Sequence, residues 1–280
     1  MVMRVRNAST LFRPFEVFEK AVACGEPLSQ ALQKLLFSLF KPVLASSKIL
    51  LSLPENLKAY CSFGSLVDAW LNILHIFYYL DYEQFTSFRP RKGWIIVDVG
   101  AYLGFYTLKA ARLIGPQGFV VSVEPLAETF NLLSANVKIN QLDNVKLIKA
   151  CVAGSRGTKT LYIPSCSINA SILEEYAEAM GGVDRVEKVK AVRLIDIIGR
   201  LERVDLLKLD VEGAELEILE NSRGILNPDR VKRLIVEVHE NIVKPSEVSQ
   251  ILEELGYEVA EYVAEDSLLQ IFVYAADTLL

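Results

Sequence analysis

The 280-residue sequence predicts an α/β fold with a mostly parallel sheet, preceded by a helical N-terminal region. Three observations carry that reading. After "RPRKG", short β-rich runs alternate with helix-length amphipathic stretches, the pattern of strands joined by crossover helices. The first run breaks into a glycine turn that opens a helix, "VDVGAYLGFYTL" at 97–108. The chain closes with "YEVAEYVAEDSLLQIFVYAA", two β-rich runs around a polar turn, which reads as a hairpin placing an antiparallel strand at or near the sheet edge.

Taken in order, residues 1–90 read as helical and form a candidate substrate cap. In "LSQALQKLLFSLF", Leu28, Ala31, Leu32, Leu35, Leu36, Leu39 and Phe40 share one helix face. Around 65–80, Leu66, Trp70, Ile73 and Phe77 make a second apolar stripe. Asp68, Asn72, His75 and Tyr79 share the opposite side, either a solvated face or a substrate wall. Residues 91–280 read as the sheet domain. Its strands are "WIIVDV", "GFVVSVE", "NVKLIKAC", "VDLLKLD" and "RLIVEVH". Its helices include "LGFYTLKAARLIG" and "LAETFNLLSANVKIN", the latter burying Phe130, Leu133 and Val137. A turn-rich insert with strand-like pieces occupies 155–203.

Composition narrows the function. A 51% hydrophobic content excludes a disordered chain, yet no run approaches the roughly 20 consecutive apolar residues of a membrane span. No secretory leader is expected, and the widely spaced Cys24, Cys61, Cys151 and Cys166 suit reduced thiols, so the expected location is cytoplasmic. The net charge of −5 is uneven. Residues 1–92 carry 11 Lys and Arg against 7 Asp and Glu, while the remainder carries 19 against 28. That acidic portion argues against a broad nucleic-acid footprint.

The glycine turn invites a dinucleotide, whose fingerprint is G-x-G-x-x-G. Here the first glycine position holds Asp98, a carboxylate hostile to a pyrophosphate and welcoming to an ammonium. Gly100 provides backbone freedom, and Gly104 a close approach of the helix to ligand and sheet. The next strand ends in "SVEP". Glu124, 24 residues after Gly100, is placed to accept hydrogen bonds from ribose hydroxyls, with Pro125 ending the strand and fixing its direction. Ribose plus an amino-acid ammonium describes S-adenosylmethionine.

At this point "VDVGAYLGFYTL", "VSVEP", "NLLSANVKIN", "LLKLDVEGAELEIL" and "LIVEVHE", in that order, resemble the FkbM-type methyltransferases over roughly 94–260. The resemblance implies a Rossmann-like class I fold with a seven-stranded sheet whose last strand is antiparallel. It also implies methylation of a hydroxyl oxygen, often on a sugar, glycan or small metabolite. The expected cofactor contacts are Asp98, Gly100, Ala101, Gly104, Glu124 and Pro125.

For catalysis the candidates are His239, Asp210 and Glu237. Asp210 shares the carboxyl edge of the sheet with Asp98. Glu237 and His239 lie two apart on a strand and point to one side. His239 is the first choice of general base. Glu212 and Glu215 lie near a helix start, where negative charge is favoured, and Glu215 reads as serving that terminus. Asp210, Glu237 and His239 could together hold a divalent metal, but no spacing supports one, and no metal ligand is assigned. Rival functions are a tRNA methyltransferase, a nicotinamide oxidoreductase and a non-catalytic interaction scaffold. The apolar N-terminal helices are the expected surface for any membrane contact or homo-oligomer.

Overall fold

The computed structural model describes residues 47–264 and 270–279. The apolar stripe at 28–40 lies outside them. The chain divides into two compact units, 1–49 with 61–67, and 50–60 with 68–280. Among the described residues of the first is a single 3₁₀ turn, Phe63–Ser65, closed by reciprocal hydrogen bonds between Ser62 and Ser65.

The second unit is built on a seven-stranded sheet. Its strands are β3 (Ile95–Val99), β4 (Phe119–Val123), β5 (Val145–Ile148), β9 (Leu206–Leu209), β10 (Arg233–Val238), β11 (Glu258–Val263) and β12 (Ile271–Ala276). Their order is β11-β12-β10-β9-β3-β4-β5. From β5 to β10 all neighbours are parallel, and β12 pairs antiparallel with both β10 and β11. The five expected strands and the closing hairpin are therefore present. This is the Rossmann-like class I arrangement. The central strands are rich in Val, Ile and Leu because both of their faces are covered, by helices α2 (Phe105–Ile114) and α3 (Ala127–Ile139) among others.

Strand order reverses at β3. The chain runs from β3 to β4 and β5, then returns to β9 on the other side of β3, so the carboxyl ends of β3 and β9 flank a crevice. Gly100 sits at that junction with φ +78°, and a Cβ there would lie 1.6 Å from the Asp210 carbonyl oxygen. Only glycine permits so close an approach. On α3, the buried face is Thr129, Leu132, Leu133, Asn136 and Val137, with Phe130 only half-buried.

The insert forms its own three-stranded sheet from β6 (Cys151–Val152), β7 (Gly157–Pro164) and β8 (Val183–Val192). It closes over a small apolar cluster that includes Leu126, Leu161, Ile163 and Val189. The short helix α4 (Glu174–Ala179) lies between β7 and β8, and α5 (Leu194–Ile198) leads back to β9.

The N-terminal region departs from the all-helical expectation. Strands β1 (Lys48–Leu53) and β2 (Leu57–Ser62) form a two-stranded sheet. Glu55 and Asn56 both take positive φ, the turn geometry that matches hairpin twist. Leu53, Leu57 and Ala59 supply the buried side. Asn136 of α3 fixes β2, accepting from the Tyr60 amide at 2.6 Å and donating to the Tyr60 carbonyl at 3.1 Å.

Helix α1 (Leu66–Ile73) runs into a π-helical turn, Leu74–Tyr79. Its stripe is shifted from the expected one: Ala69, Ile73 and Ile76 are buried, whereas Trp70 is 56% exposed. The widened turn is held from below by Lys109 of α2. Its Nζ donates to the Ile76 carbonyl at 2.7 Å and pairs with Glu83 at 2.6 Å. The compact unit thus reaches upstream of residue 91 to include 68–90.

Candidate active site

A cleft of about 570 Å³ opens at the carboxyl ends of β3, β4, β9 and β10. One half is the glycine turn. Gly100, Ala101 and Tyr102 follow β3, and Glu124 and Pro125 follow β4, all lining the cleft. Glu124 is held firmly. One oxygen accepts from the Tyr102 amide at 2.9 Å, and the other from the Leu126 amide at 3.0 Å and Thr129 Oγ1 at 2.6 Å. Burial pushes its carboxyl up to about 7, although those three donors pull the other way. A carboxylate offers about four acceptor positions, so one remains beyond these three.

Two expected contacts lie elsewhere. Asp98 is fully buried and is not part of the cleft wall. It accepts from Thr107 Oγ1 at 2.6 Å and lies 3.3 Å from Lys208 Nζ. In a strand buried on both faces, a carboxylate needs such partners. Gly104 also misses the cleft. It starts α2 at φ +86°, and a Cβ there would meet Leu133 Cδ1 at 2.3 Å, so its role is packing α2 on α3.

Lys208, which sequence reasoning passed over, organises the floor. It is 3% exposed, donates to the Gly100 carbonyl at 3.1 Å and pairs with Asp210 at 3.1 Å. Burial opposes its charge, but Asp210, Asp98 and Glu237 outweigh that and hold the ammonium above its ordinary range. The signal was present as a lone lysine inside the apolar run "LLKLD".

The other half is a cluster at the ends of β9 and β10. Asp210, Glu237 and His239 all line the cleft, as expected. His239 Nδ1 lies 2.8 Å from Glu215, while Nε2 lies 3.2 Å from Glu212 and 4.0 Å from Asp210. Burial disfavours a charged imidazole, yet Glu212 and Glu215 overcome it and hold His239 well above its usual range.

The two glutamates also differ from expectation. Glu215 does bridge the turn, accepting from the Val211 and Gly213 amides, and it additionally orients His239. Glu212, at φ +57°, turns its carboxylate into the cleft and accepts from Tyr176 of α4. Burial raises it to about 8, with His239 opposing. Glu237 instead accepts from buried Tyr82, and burial together with Asp210 raises it to about 7. The residues whose ligand atoms converge within 4.8 Å are consequently Asp210, Glu212 and His239, with Glu212 replacing Glu237.

The wall opposite carries Asp68, Asn72 and His75, three of the four polar residues grouped at 65–80. Tyr79 is not among them. His75 Nδ1 lies 2.5 Å from Asp81 Oδ2, a carboxylate only 1% exposed that also accepts from Tyr262 at 3.2 Å. No helix among the described residues is long and apolar enough to cross a membrane.

The chain has relatives among known proteins. The chain is 31% identical over 201 residues to "Methyltransferase sdnD" of Sordaria araneosa, covering 61% of this chain and 76% of that protein. It is 28% identical over 184 residues to "Methyltransferase 1" of Beauveria bassiana, covering 59% and 72%. Among solved structures, it aligns with the methyltransferase FkbM from Methylobacillus flagellatus at TM-score 0.48 and 13% identity, covering 67% of this chain and 44% of that one. Residues 98–259 match the model of the methyltransferase FkbM domain, which spans every cleft strand end from β3 to β10. The chain belongs to the FkbM methyltransferase family.

Proposed function

We propose that the protein transfers a methyl group from S-adenosylmethionine to a hydroxyl oxygen of a small-molecule or glycan acceptor. The observation that carries this reading is Glu124, fixed by three donors at the end of β4 and facing the cleft beside the Gly100–Tyr102 turn. Its remaining acceptor position suits a ribose hydroxyl. The carboxylates across the cleft suit the cofactor's ammonium. Among the described lining residues Lys208 is the one Lys or Arg, and it is already engaged by two carboxylates, so none of them offers a dinucleotide's phosphates an unengaged Lys or Arg. The acceptor-rich character argued from Asp98 thus rests on Glu124, Asp210, Glu212 and Glu237 instead.

When bound, S-adenosylmethionine supplies a sulfonium-activated methyl that needs no covalent help from the protein. The chain's tasks are alignment, exclusion of water and removal of the acceptor's proton. We assign proton removal to an imidazole of the cleft, His239 or His75, both of which line it. The Asp81 carboxylate holds the His75 ring through Nδ1.

Calorimetry with S-adenosylmethionine tests the cofactor half. Glu124→Ala is expected to weaken affinity roughly 30- to 1,000-fold, the equivalent of about 2–4 kcal/mol for losing a buried charged acceptor. Unchanged affinity would reject the ribose assignment.

A further inference from the structure

We propose that Asp210, Glu212 and His239 form a divalent-metal site on the acceptor side of the cleft, best suited to Mn²⁺. Three features support it. The first is spacing. A metal bound at about 2.1 Å sets neighbouring ligand atoms roughly 3.0 Å apart and opposite ones roughly 4.2 Å apart. His239 Nε2 lies 3.2 Å from Glu212 Oε2 and 4.0 Å from Asp210 Oδ1, within that span.

The second is that each ligand is oriented by a group outside the trio. His239 presents its other ring nitrogen to Glu215, Glu212 accepts from Tyr176, and Asp210 keeps its second oxygen on Lys208. Metal-binding imidazoles and carboxylates are held in this manner, because an outer partner fixes the ring and aims the donor lone pair inward. The third is unbalanced charge. Glu215 is fully buried, and its Oε2 has no hydrogen-bond partner among the described residues. A buried carboxylate left this way calls for a cation nearby. Glu237 stays outside the set because Tyr82 occupies it.

One nitrogen and two oxygen donors suit Mn²⁺, and three protein ligands leave positions of an octahedral shell open toward the cleft. Those positions fit an acceptor bearing two adjacent oxygens, such as a vicinal diol or a hydroxy acid. This last point rests on the methyl-transfer reading; the metal site itself does not.

The test is Mn²⁺ titration of the full chain without cofactor, followed by electron paramagnetic resonance. One ion per chain is expected, with nitrogen coupling from the His239 ring. Asp210→Asn, Glu212→Gln and His239→Ala should each weaken it at least tenfold, and His239→Ala should erase the nitrogen coupling. Glu215→Gln, which leaves all three ligands in place, should weaken it 10- to 100-fold through ring orientation. Circular dichroism identifies any variant that fails to fold, and the isosteric Asp210→Asn and Glu212→Gln then decide. Absence of stoichiometric binding, or binding without nitrogen coupling, overturns the proposal. Calorimetry with S-adenosylmethionine on the same metal-free samples separates the two readings, since cofactor binding can persist where the metal site fails.

Discussion

The two halves of the cleft are wired in opposite ways. At the β3–β4 end, Glu124 is held by two backbone amides and one hydroxyl, with no cation in its hydrogen-bond set. At the β9–β10 end, the groups hold one another by charge, with His239 against Glu212 and Glu215, and Lys208 against Asp98 and Asp210. The backbone donors that position Glu124 do not titrate, so its geometry is fixed even though its own carboxyl is pushed up to about 7. The second half is a balance of protons and charges, which a cation or a substrate can shift. The proposed division between a cofactor half and an acceptor half rests on that difference.

The sharpest way to break the comparison is at the point where the halves meet. Gly100→Ala would place a Cβ 1.6 Å from the Asp210 carbonyl oxygen at φ +78°, forcing β3 and β9 apart. A loss of about 4 kcal/mol or more is expected in urea denaturation. A milder loss would mean the junction is softer than its geometry. Next in size is His75→Ala, which should lower kcat by about 10²- to 10⁴-fold while leaving affinity for S-adenosylmethionine unchanged. If His239→Ala alone removes the acidic limb of the pH–rate profile, His239 is the proton acceptor.

A pH test sharpens the fixed half. Burial raises Glu124 to about 7 from an ordinary 4.5, so the folded state binds its proton more tightly than the unfolded chain. Its contribution to stability is full below pH 4.5 and lost as pH rises through about 7, up to about 3 kcal/mol. Comparing wild type with Glu124→Gln by urea denaturation at pH 5 and pH 8 isolates this, because the titrating groups of the other half are common to both. The smallest effect concerns support. Asn136→Ala unties Tyr60 of β2 and the Leu103 carbonyl, and should cost about 2 kcal/mol in stability without altering cofactor affinity.

Much of this was legible before any coordinates. Period-two and period-3.6 patterning placed β3, β4, β5, β9 and β10, and Glu124 followed from its position at a strand end after a glycine turn. His239, Asp210 and Glu237 also fell on the cleft as the strand ends required. The hairpin at 48–62 did not, because its alternation is hidden in a continuous apolar stretch and its turn contains no glycine. Trp70 was misplaced because the helix rotates its buried face toward Ala69 and Ile76 before widening into a π turn.

What the amino-acid order determined alone is the periodic part: which segments become strands, where they stop, and which residue types stand at their carboxyl ends. Neighbouring residues impose those features through local sterics and burial patterns. What only the tertiary structure decided is the pairing of charges. Asp98 turned inward to Lys208, Glu212 faced the cleft beside His239, and His75 met Asp81. Each of these depends on separate elements being brought within 3–4 Å, where Coulomb and hydrogen-bond energies become large, and no spacing along the chain encodes that distance.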